Sequence, residues 1–244
     1  MKIEMIFLFH KSLEEFILKP DPMVNDIASL IADSSRSIML MSLLGGQRTA
    51  GELAKIACIK PQTATYHLSK MVNAGIIEKT IYGRYSYFKL DNEDVAKLLE
   101  LLMKLSKSPK IKSLNQSIRS EALRNARLCY DHIAGTLGIK ITEALLRLSY
   151  IQLENDIFYI TELGINKLIE LEIINHGFKD IENLRGIKCY DWSEKNYHIA
   201  GILGKVITSG LIGLGWIKKS LINREVGITE NGKVNLSKHF GIEF

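Results

Sequence analysis

The sequence predicts a mainly α-helical protein with small β-hairpins, divided into two domains. Three observations support this prediction. Apolar residues recur at helical spacing over most of the chain, two short alternating segments flank a central glycine, and several short motifs occur twice in the second half. We assign residues 1–106 to an N-terminal domain and residues 118–244 to a C-terminal domain, and we interpret residues 107–117, in which Lys and Ser surround a proline, as a linker.

Helix-capping signals divide the first part of the N-terminal domain into short helices. Residues 24–44 predict two helices, the second of which is capped by Asp33. Thr49 followed by Glu52 has the spacing of a capping box, in which each side chain accepts a hydrogen bond from the backbone of the other residue. This pair predicts a helix over residues 50–58.

A further helix and a hairpin follow. Pro61 suits the first position of a helix over residues 61–73, because its missing N–H would have no partner there. Residues 76–82 and 85–90 alternate and are rich in β-branched and aromatic side chains, and Gly83-Arg84 between them predicts the turn of a hairpin. The order helix, turn, helix, hairpin is that of a winged helix-turn-helix.

The last helix of the N-terminal domain is predicted to present a broad apolar face. Asp91 is expected to cap this helix, which covers residues 95–105 and is rich in leucine. We expect the face, together with segments before Asp33, to form a homodimer interface. Packing of the same face on the C-terminal half is the alternative.

Positive charge is concentrated in the predicted helix-turn-helix and hairpin. The chain has 32 Lys+Arg against 27 Asp+Glu, a net charge of +5. Between residues 49 and 90 the basic residues outnumber Glu52 and Glu78 and leave about +4 of this charge. These basic residues are Lys55, Lys60, Lys70, Lys79, Arg84 and Lys89. The segment is therefore expected to face an anionic partner.

Cysteine usage and hydropathy restrict the compartment. Cys58, Cys129 and Cys189 are an odd number of widely spaced cysteines, which fits neither a disulfide framework nor a CxxC zinc site. Glu4 interrupts the N-terminal apolar run, which lacks a small-residue cleavage site, and no apolar stretch reaches the roughly 20 residues that span a bilayer. We expect a cytoplasmic protein with no membrane partner.

Three short motifs occur in the same order in both halves of the C-terminal domain. Cys129-Tyr130-Asp131 matches Cys189-Tyr190-Asp191, residues 132–138 match 198–204, and residues 160–164 match 228–232, at offsets of 60, 66 and 68. These matches predict two copies of one unit, about residues 118–180 and 181–244. Each unit is predicted to contain a long helix, a small hairpin and a closing helix that Thr161 or Thr229 caps.

The N-terminal pattern also permits a comparison with known families. It includes Asp33-Ser34-Ser35-Arg36, Glu52-Leu53, Thr63-Ala64-Thr65-Tyr66-His67-Leu68, Ala74-Gly75-Ile76-Ile77, and Gly83-Arg84-Tyr85 through Tyr87. Over about residues 24–105 the chain resembles the arsenic-repressor (ArsR) type of winged-helix regulators. The remaining chain resembles a C-terminal extension found on some such regulators, and that resemblance implies no particular ligand.

The resemblance implies a homodimer that inserts the helix of residues 61–73 into the major groove of double-stranded DNA and places the hairpin tip on the neighbouring backbone or minor groove. Side chains on the polar side of this helix are expected to bond base edges. They are Gln62, Thr63, Thr65, Tyr66 and Ser69. Lys60, Lys70 and Arg84 are expected to contact phosphates. We expect a sequence-specific regulator, a repressor rather than an activator, because an operator-bound dimer blocks polymerase without further parts.

Many relatives of this type release DNA when a metal binds thiolates on the helix before the recognition helix, or His and carboxylates on the last helix. This chain departs from both patterns. Residues 50–59 contain only Cys58, and residues 92–105 contain no histidine. No metal site and no cofactor are expected.

The recurring cysteines and histidines of the C-terminal domain leave three interpretations open. In a helix, Cys129 and His132 would share a face, as a thiolate activated by an imidazole or a pair of zinc ligands requires, whereas nine residues separate Cys189 from His198. The four residues are buried structural side chains, an effector or redox pocket, or metal ligands. The second interpretation adds a small-molecule effector or an oxidant to the partners.

No enzymatic activity is expected. Cys129 and His132 have the chemistry of a nucleophile and a base, but no glycine-rich phosphate loop, nucleophile elbow or His-carboxylate metal motif accompanies them. The alternatives to a DNA-binding regulator are a winged-helix protein-interaction module that does not bind DNA, and a sensor that uses Cys129 and Cys189.

Overall fold

The computed structural model describes residues 22, 24–107, 113–175, 177–178, 181–220 and 223–244. The N-terminal apolar run and residues 108–112 of the predicted linker lie outside these residues. The N-terminal elements are α1 Val24–Ala32, α2 Ser34–Leu43, β1 Arg48–Thr49, α3 Ala50–Ile56, α4 Pro61–Asn73, β2 Ile77–Tyr82, β3 Tyr85–Leu90 and α5 Glu93–Leu105.

The C-terminal elements alternate between hairpins and helices. They are α6 Leu114–Asn125, β4 Arg127–Cys129, β5 His132–Ala134, α7 Gly135–Arg147, β6 Ile151–Glu154, β7 Ile157–Ile160, α8 Glu162–Glu170, a 3-10 turn Ile181–Asn183, β8 Arg185–Tyr190, β9 Tyr197–Ala200, α9 Gly201–Gly213, β10 Ile217–Lys219, β11 Val226–Ile228 and α10 Glu230–Phe240. Within the described residues, no helix has both the length and the apolar composition that crossing a membrane requires.

The N-terminal domain is a winged helix-turn-helix whose core receives one apolar face from each helix. Its three strands form an antiparallel sheet in the order β1-β3-β2. Along β3, Phe88 and Leu90 are buried and Lys89 between them is exposed, which is the alternation expected when only one sheet face meets the core. The helix-turn-helix and hairpin predicted from the sequence are confirmed.

Several element ends differ from the prediction. Asn92 caps α5, not Asp91, because its side chain accepts a hydrogen bond from Val95 N at 3.1 Å. The helix after Thr49 ends at Ile56, and Cys58 beyond it adopts φ 54°. The linker predicted over residues 107–117 extends too far, because α6 already begins at Leu114 and Ser113 caps it.

The largest correction concerns the cysteine and histidine of the first unit. Cys129 and His132 do not lie on a helix. They end β4 and begin β5, and they face each other as paired residues of a β-hairpin. The long helix of this unit, α7, begins only at Gly135.

The same order of elements occurs twice in the C-terminal domain: hairpin, helix, hairpin, helix. Thr161 and Thr229 cap α8 and α10 by accepting hydrogen bonds from Gly164 N at 3.0 Å and Gly232 N at 2.9 Å, as predicted. Each half has a hairpin before its long helix, which the sequence did not predict. Descent of both halves from one copied unit stays a prediction.

Strand pairing joins the two halves. β7 pairs with β8 in a four-stranded antiparallel sheet of order β6-β7-β8-β9. On the other side, β4 lies beside the segment that leads into β11, with Leu128 N donating to Arg224 O at 2.8 Å and Val226 N donating to Ala126 O at 3.0 Å. Both halves contribute to one hydrophobic core.

Two threonines make reciprocal contacts between the halves. Thr208 Oγ1 on α9 accepts a hydrogen bond from Ile133 N of β5 at 2.9 Å, and Thr142 Oγ1 on α7 accepts one from Ile199 N of β9 at 3.0 Å. All of these groups are buried, so each hydroxyl satisfies a backbone N–H that water does not reach. The long helix of each half thereby fixes the first hairpin of the other.

The C-terminal domain also contacts the winged helix. Arg224 Nη1 donates to Glu100 Oε1 on α5 at 3.0 Å, and both side chains are largely buried. Arg48 Nη2 donates to Asn223 O at 3.1 Å. α5 therefore packs on the C-terminal half, while its Leu101 and Leu105 side chains stay exposed.

Candidate nucleic-acid interface and Cys-His cluster

α4 separates its side chains into a buried face and an exposed polar face. Ala64, Leu68 and Met71 are at most 1% exposed and anchor the helix to the core. The residues singled out as base-reading are all exposed on the opposite side: Gln62, Thr63, Thr65, Tyr66 and Ser69. Gly75, with φ 69°, follows the helix and ends it.

Basic side chains surround this polar face. Lys60 and Lys70 are exposed at the two ends of α4, and Lys70 Nζ lies 4.7 Å from the centre of the Tyr66 ring. Arg84 is exposed at the tip of the β2–β3 hairpin, with its guanidinium 5.3 Å from the centre of the Tyr85 ring. The structure thus places every residue proposed to face DNA on the surface.

Arg36 positions α4 against the preceding helices, a role that no sequence pattern predicted. Its guanidinium lies 3.2 Å from Nδ1 of His67 on α4, and it donates to Leu30 O at 2.8 Å and to Ser29 O at 2.9 Å at the end of α1. These bonds tie α4 to α1 and α2. A partly buried contact between an arginine and a histidine 31 residues apart has no periodic signal in the sequence.

The second candidate site is a cluster of two cysteines and two histidines between the halves of the C-terminal domain. Cys129 pairs with His132 across β4 and β5, and Cys189 pairs with His198 across β8 and β9. Cys129 Sγ lies 3.8 Å from Cys189 Sγ, and His132 Nε2 lies 3.1 Å from His198 Nε2. The four residues that recur in the sequence are therefore brought together, although their spacing differs between the two halves.

Each histidine of the cluster has a carboxylate behind it. His132 Nδ1 lies 3.3 Å from Asp131 Oδ1, and His198 Nδ1 lies 3.4 Å from Asp191 Oδ2. Asp131 is also 3.6 Å from Lys205 Nζ. Both imidazoles thus direct Nε2 to the centre of the cluster and Nδ1 to an acidic group.

A buried ion pair fixes one of these carboxylates. Arg127 Nη2 donates to Asp191 Oδ1 at 2.7 Å, and the two side chains are 1% and 0% exposed. Gly135 N donates to Asp191 Oδ2 at 2.7 Å. Burial alone would raise the pKa of the Asp191 carboxyl, but the neighbouring His198 and the charge of Arg127 hold it well below its usual range. The role of Arg127 could not be predicted from the sequence, because its partner Asp191 lies 64 residues further along the chain.

The surroundings of Cys129 favour its neutral thiol. Contact with Cys189 and burial together raise the pKa of the Cys129 thiol well above its ordinary value. Such a thiol is a poor nucleophile, since the thiolate is the reactive species.

A pocket of about 300 Å³ connects the cluster to the surface of α5. Cys129, His132 and Cys189 line its inner wall, and charged side chains of α5 line the opposite wall. These α5 residues are Glu93, Lys97, Glu100 and Lys104. Lys104 Nζ also lies 4.4 Å from the centre of the Tyr190 ring. The cluster therefore borders the helix that joins the winged domain to the rest of the chain.

Residues 33–79 match the family model described as "Bacterial regulatory protein, arsR family". The chain is 35% identical over 224 residues to the uncharacterized HTH-type transcriptional regulator YdfF of Bacillus subtilis (strain 168), and the alignment covers 91% of this chain and 99% of that protein. Among solved structures, the homodimeric winged helix-turn-helix DNA-binding domain of a possible ArsR-family regulator from Mycobacterium bovis is 26% identical; the match covers 34% of this chain and 76% of that one, with a TM-score of 0.32. NolR from Sinorhizobium fredii is 21% identical; the match covers 41% of this chain and 94% of that one, with a TM-score of 0.33. Because the family model matches the helix-turn-helix and the Bacillus relative aligns with nearly the whole chain, the protein belongs to the ArsR family of winged helix-turn-helix, DNA-binding transcriptional regulators.

Proposed function

We propose that the protein is a cytoplasmic homodimer that binds an operator sequence in double-stranded DNA and represses transcription. The observation that carries this proposal is the division of α4 into a buried apolar face and an exposed face of hydroxyl and amide groups. Such groups match the donors and acceptors that base edges present in the major groove. No catalytic activity is part of the proposal.

Different residues are proposed to contact the bases and the phosphate backbone of the DNA. Gln62 has an amide that can bond adenine at two points, and it is exposed in the first turn of α4, the end that enters the groove in helix-turn-helix proteins. Lys60, Lys70 and Arg84 surround this turn and supply positive charge that attracts phosphates regardless of sequence. These two contributions respond differently to salt and to base changes, so they can be separated experimentally.

The homodimer is supported by apolar surface that the single chain leaves uncovered. Leu101 is 51% exposed and Leu105 is 75% exposed on α5, next to residues of the same helix that are buried. A second copy placed on this face would cover it and would set two recognition helices at a fixed spacing. Operator half-sites about 34–36 Å apart would then be read together.

Regulation is assigned to the C-terminal domain. It contacts α5 through the Arg224–Glu100 ion pair and through the pocket beside the Cys-His cluster. A ligand or an oxidant that acts on the cluster would act on the same helix that carries the proposed dimer interface. Such a change would alter the spacing of the two recognition helices and hence the affinity for DNA.

Selection of bound fragments from a random duplex pool, followed by fluorescence anisotropy on the selected site and a scrambled site, tests the proposal. We expect the selected site to bind about 10³-fold or more tightly than the scrambled site, with affinity falling as salt rises. Light scattering should give two chains per particle, and transcription from a promoter that contains the site should fall when protein is added.

Binding that does not distinguish the two duplexes would contradict sequence-specific regulation. Indifference to all duplexes at low salt would favour the protein-interaction module instead. A monomer that still binds the full site would remove the dimer from the proposal.

A further inference from the structure

Four side chains with metal-binding atoms meet inside the C-terminal domain. They are Cys129 and His132 from one hairpin and Cys189 and His198 from another. Their ligand atoms all lie within 4.8 Å of one another. Cross-strand pairing accounts for this convergence, because it brings each cysteine beside a histidine whether three or nine residues separate them in the chain.

The sulfur–sulfur and nitrogen–nitrogen distances are close to those of a tetrahedral zinc site. Zn–S bonds of about 2.3 Å and Zn–N bonds of about 2.0–2.1 Å at tetrahedral angles place two sulfurs about 3.8 Å apart and two nitrogens about 3.3 Å apart. The two Sγ atoms are 3.8 Å apart, and the two Nε2 atoms are 3.1 Å apart. An ion at the centre would also have to draw the sulfur and nitrogen atoms, which lie within 4.8 Å of one another, to the separation of about 3.6 Å that tetrahedral geometry gives.

A carboxylate lies near Nδ1 of each histidine and favours coordination through Nε2, by a hydrogen-bonded contact at His132 and by charge alone at His198, whose Nδ1 has no hydrogen-bond partner. Asp131 lies behind Nδ1 of His132, and Asp191 lies behind Nδ1 of His198. A carboxylate at Nδ1 keeps the proton on that nitrogen and leaves the Nε2 lone pair free. Metal-bound histidines almost always have an outer partner of this kind.

The two imidazoles approach each other closely at the centre of the cluster. His132 Nε2 and His198 Nε2 lie 3.1 Å apart, a distance at which a proton on either nitrogen forms a hydrogen bond to the other. A Zn²⁺ ion would take the place of that proton and bind both nitrogens, and the two sulfurs would complete its coordination. Zn²⁺ with two thiolates and two neutral imidazoles has no net charge, so the site can be buried at lower cost than an isolated ion.

We propose that Cys129, His132, Cys189 and His198 bind one Zn²⁺ ion in a closed tetrahedral site that joins the two halves of the C-terminal domain. Two thiolates and two imidazoles favour zinc over the harder cations, which prefer oxygen ligands. On binding, each thiol releases its proton to solvent and the histidines coordinate as neutral rings. The proposal departs from the sequence-based expectation of no metal site, and it does not depend on DNA binding.

The surroundings of the site fit a structural metal. Four protein ligands complete the tetrahedron and leave no open position for a substrate, and two of them, Cys129 and His198, are 3% and 1% exposed. Cys189 is half-buried and lines the pocket beside α5, which provides a path for the ion. A disulfide between the two cysteines is the competing chemistry, but it requires sulfurs about 2.05 Å apart and would remove both thiolates.

Metal titration of the reduced, full-length protein tests the proposal. After removal of metal under anaerobic conditions, with folding checked by circular dichroism, Co²⁺ is added as a spectroscopic probe. We expect one Co²⁺ per chain, thiolate-to-cobalt charge-transfer absorption, the strong visible bands of tetrahedral cobalt, and displacement by one equivalent of Zn²⁺. X-ray absorption of the zinc-loaded protein should show two sulfur and two nitrogen neighbours.

Variants assign the ligands. Cys129→Ser and His198→Gln should each lose the tetrahedral cobalt spectrum. Asp131→Asn should keep the spectrum but bind the ion about 10–100-fold more weakly, as expected when only the outer partner of a ligand is changed. Cys58→Ser is the matched control, because Cys58 is an exposed free cysteine of the winged domain and its loss should leave the spectrum unchanged.

Failure of the folded, reduced wild-type protein to take up either metal would overturn the proposal, as would a shell of nitrogen and oxygen only. Because both wild-type readouts report the ligand types directly, the result stands even if a ligand variant fails to fold. A Cys129–Cys189 disulfide in the isolated protein, with no metal uptake after its reduction, would assign the pair to redox chemistry and reject zinc. DNA binding is not a readout here, so failure of the repressor proposal would leave this test intact.

Discussion

His132 and His198 are 66 residues apart in the chain, yet their Nε2 atoms lie 3.1 Å from each other. The long helices pass close to these side chains, and glycine makes that approach possible. A Cβ at Gly138 on α7 would lie 3.5 Å from the Cβ of His198, and one at Gly204 on α9 would lie 3.3 Å from the Cβ of His132. The histidine pair therefore marks the place where each helix packs on the first hairpin of the opposite half.

Gly204→Ala is expected to destabilise the C-terminal domain. The added methyl group would lie 2.5 Å from Ile199 O, which is backbone and cannot move aside cheaply. We expect a loss of about 1–3 kcal/mol, measured as a lower urea midpoint.

The control is Gly213→Ala at the end of the same helix, where a Cβ would meet nothing within 4 Å. There the substitution should be neutral or should stabilise by up to about 1 kcal/mol, because alanine restricts the unfolded chain. Equal effects of the two changes would contradict the close packing of α9 on β9.

Thr208→Val should weaken the contact between α9 and β5. Valine has nearly the shape of threonine but cannot accept the hydrogen bond from Ile133 N, so a buried N–H loses its partner. We expect a loss of about 1–3 kcal/mol in the free energy of unfolding from denaturant titration. Thr142→Val should cost a similar amount, because it removes the reciprocal bond to Ile199 N.

Thr136→Val serves as the comparison, since its hydroxyl bonds Arg124 O at the surface, where water can replace it. If Thr208→Val cost no more than Thr136→Val, the reciprocal bonds would not be important for joining the halves.

Arg84→Ala is expected to weaken binding to selected and scrambled duplexes by the same factor. Loss of one phosphate contact in each subunit should reduce the slope of log affinity against log salt by about 2 for a dimer. Fluorescence anisotropy over a range of salt concentrations measures this slope. The matched control is Arg119→Ala, an exposed arginine on α6, which should leave the slope unchanged. A change in preference between the duplexes would instead place Arg84 on the bases.

Gln62→Ala is expected to change the preference among operator variants rather than the overall attraction to DNA. An amide that bonds adenine at two points contributes about 1–3 kcal/mol of discrimination. Binding to a set of operators with single base-pair changes should show this loss at one position of each half-site. Gln152→Ala, an exposed amide on β6, is the control. Uniform weakening on every operator would show that Gln62 does not read bases.

The parts of the fold that local signals determine could be predicted from the sequence. Pro61 starts α4, and Thr161 and Thr229 cap their helices as expected, because capping depends on residues that are neighbours in the chain. The surface position of the residues proposed to face DNA follows from the same helical spacing.

The Cys-His cluster depends on features that local patterns do not reveal. Residues 129–132 have a spacing that suits a helix, but Tyr130 adopts φ 61° and turns the chain into a hairpin. Aromatic residues rarely adopt the left-handed conformation. The turn also contains no glycine or asparagine, the residues that usually indicate such a conformation in a sequence. The repeated motifs identified the four residues, whereas only strand pairing shows that they meet.

The four-stranded sheet has a consequence for how this chain can change over generations. Because β7 from the first half pairs with β8 from the second, deleting either half would leave a bare strand edge on the survivor. Bare edges recruit strands from other molecules and promote aggregation. A shortened descendant would therefore need a new way to cover that edge. Loss of one half alone is thus expected to be selected against.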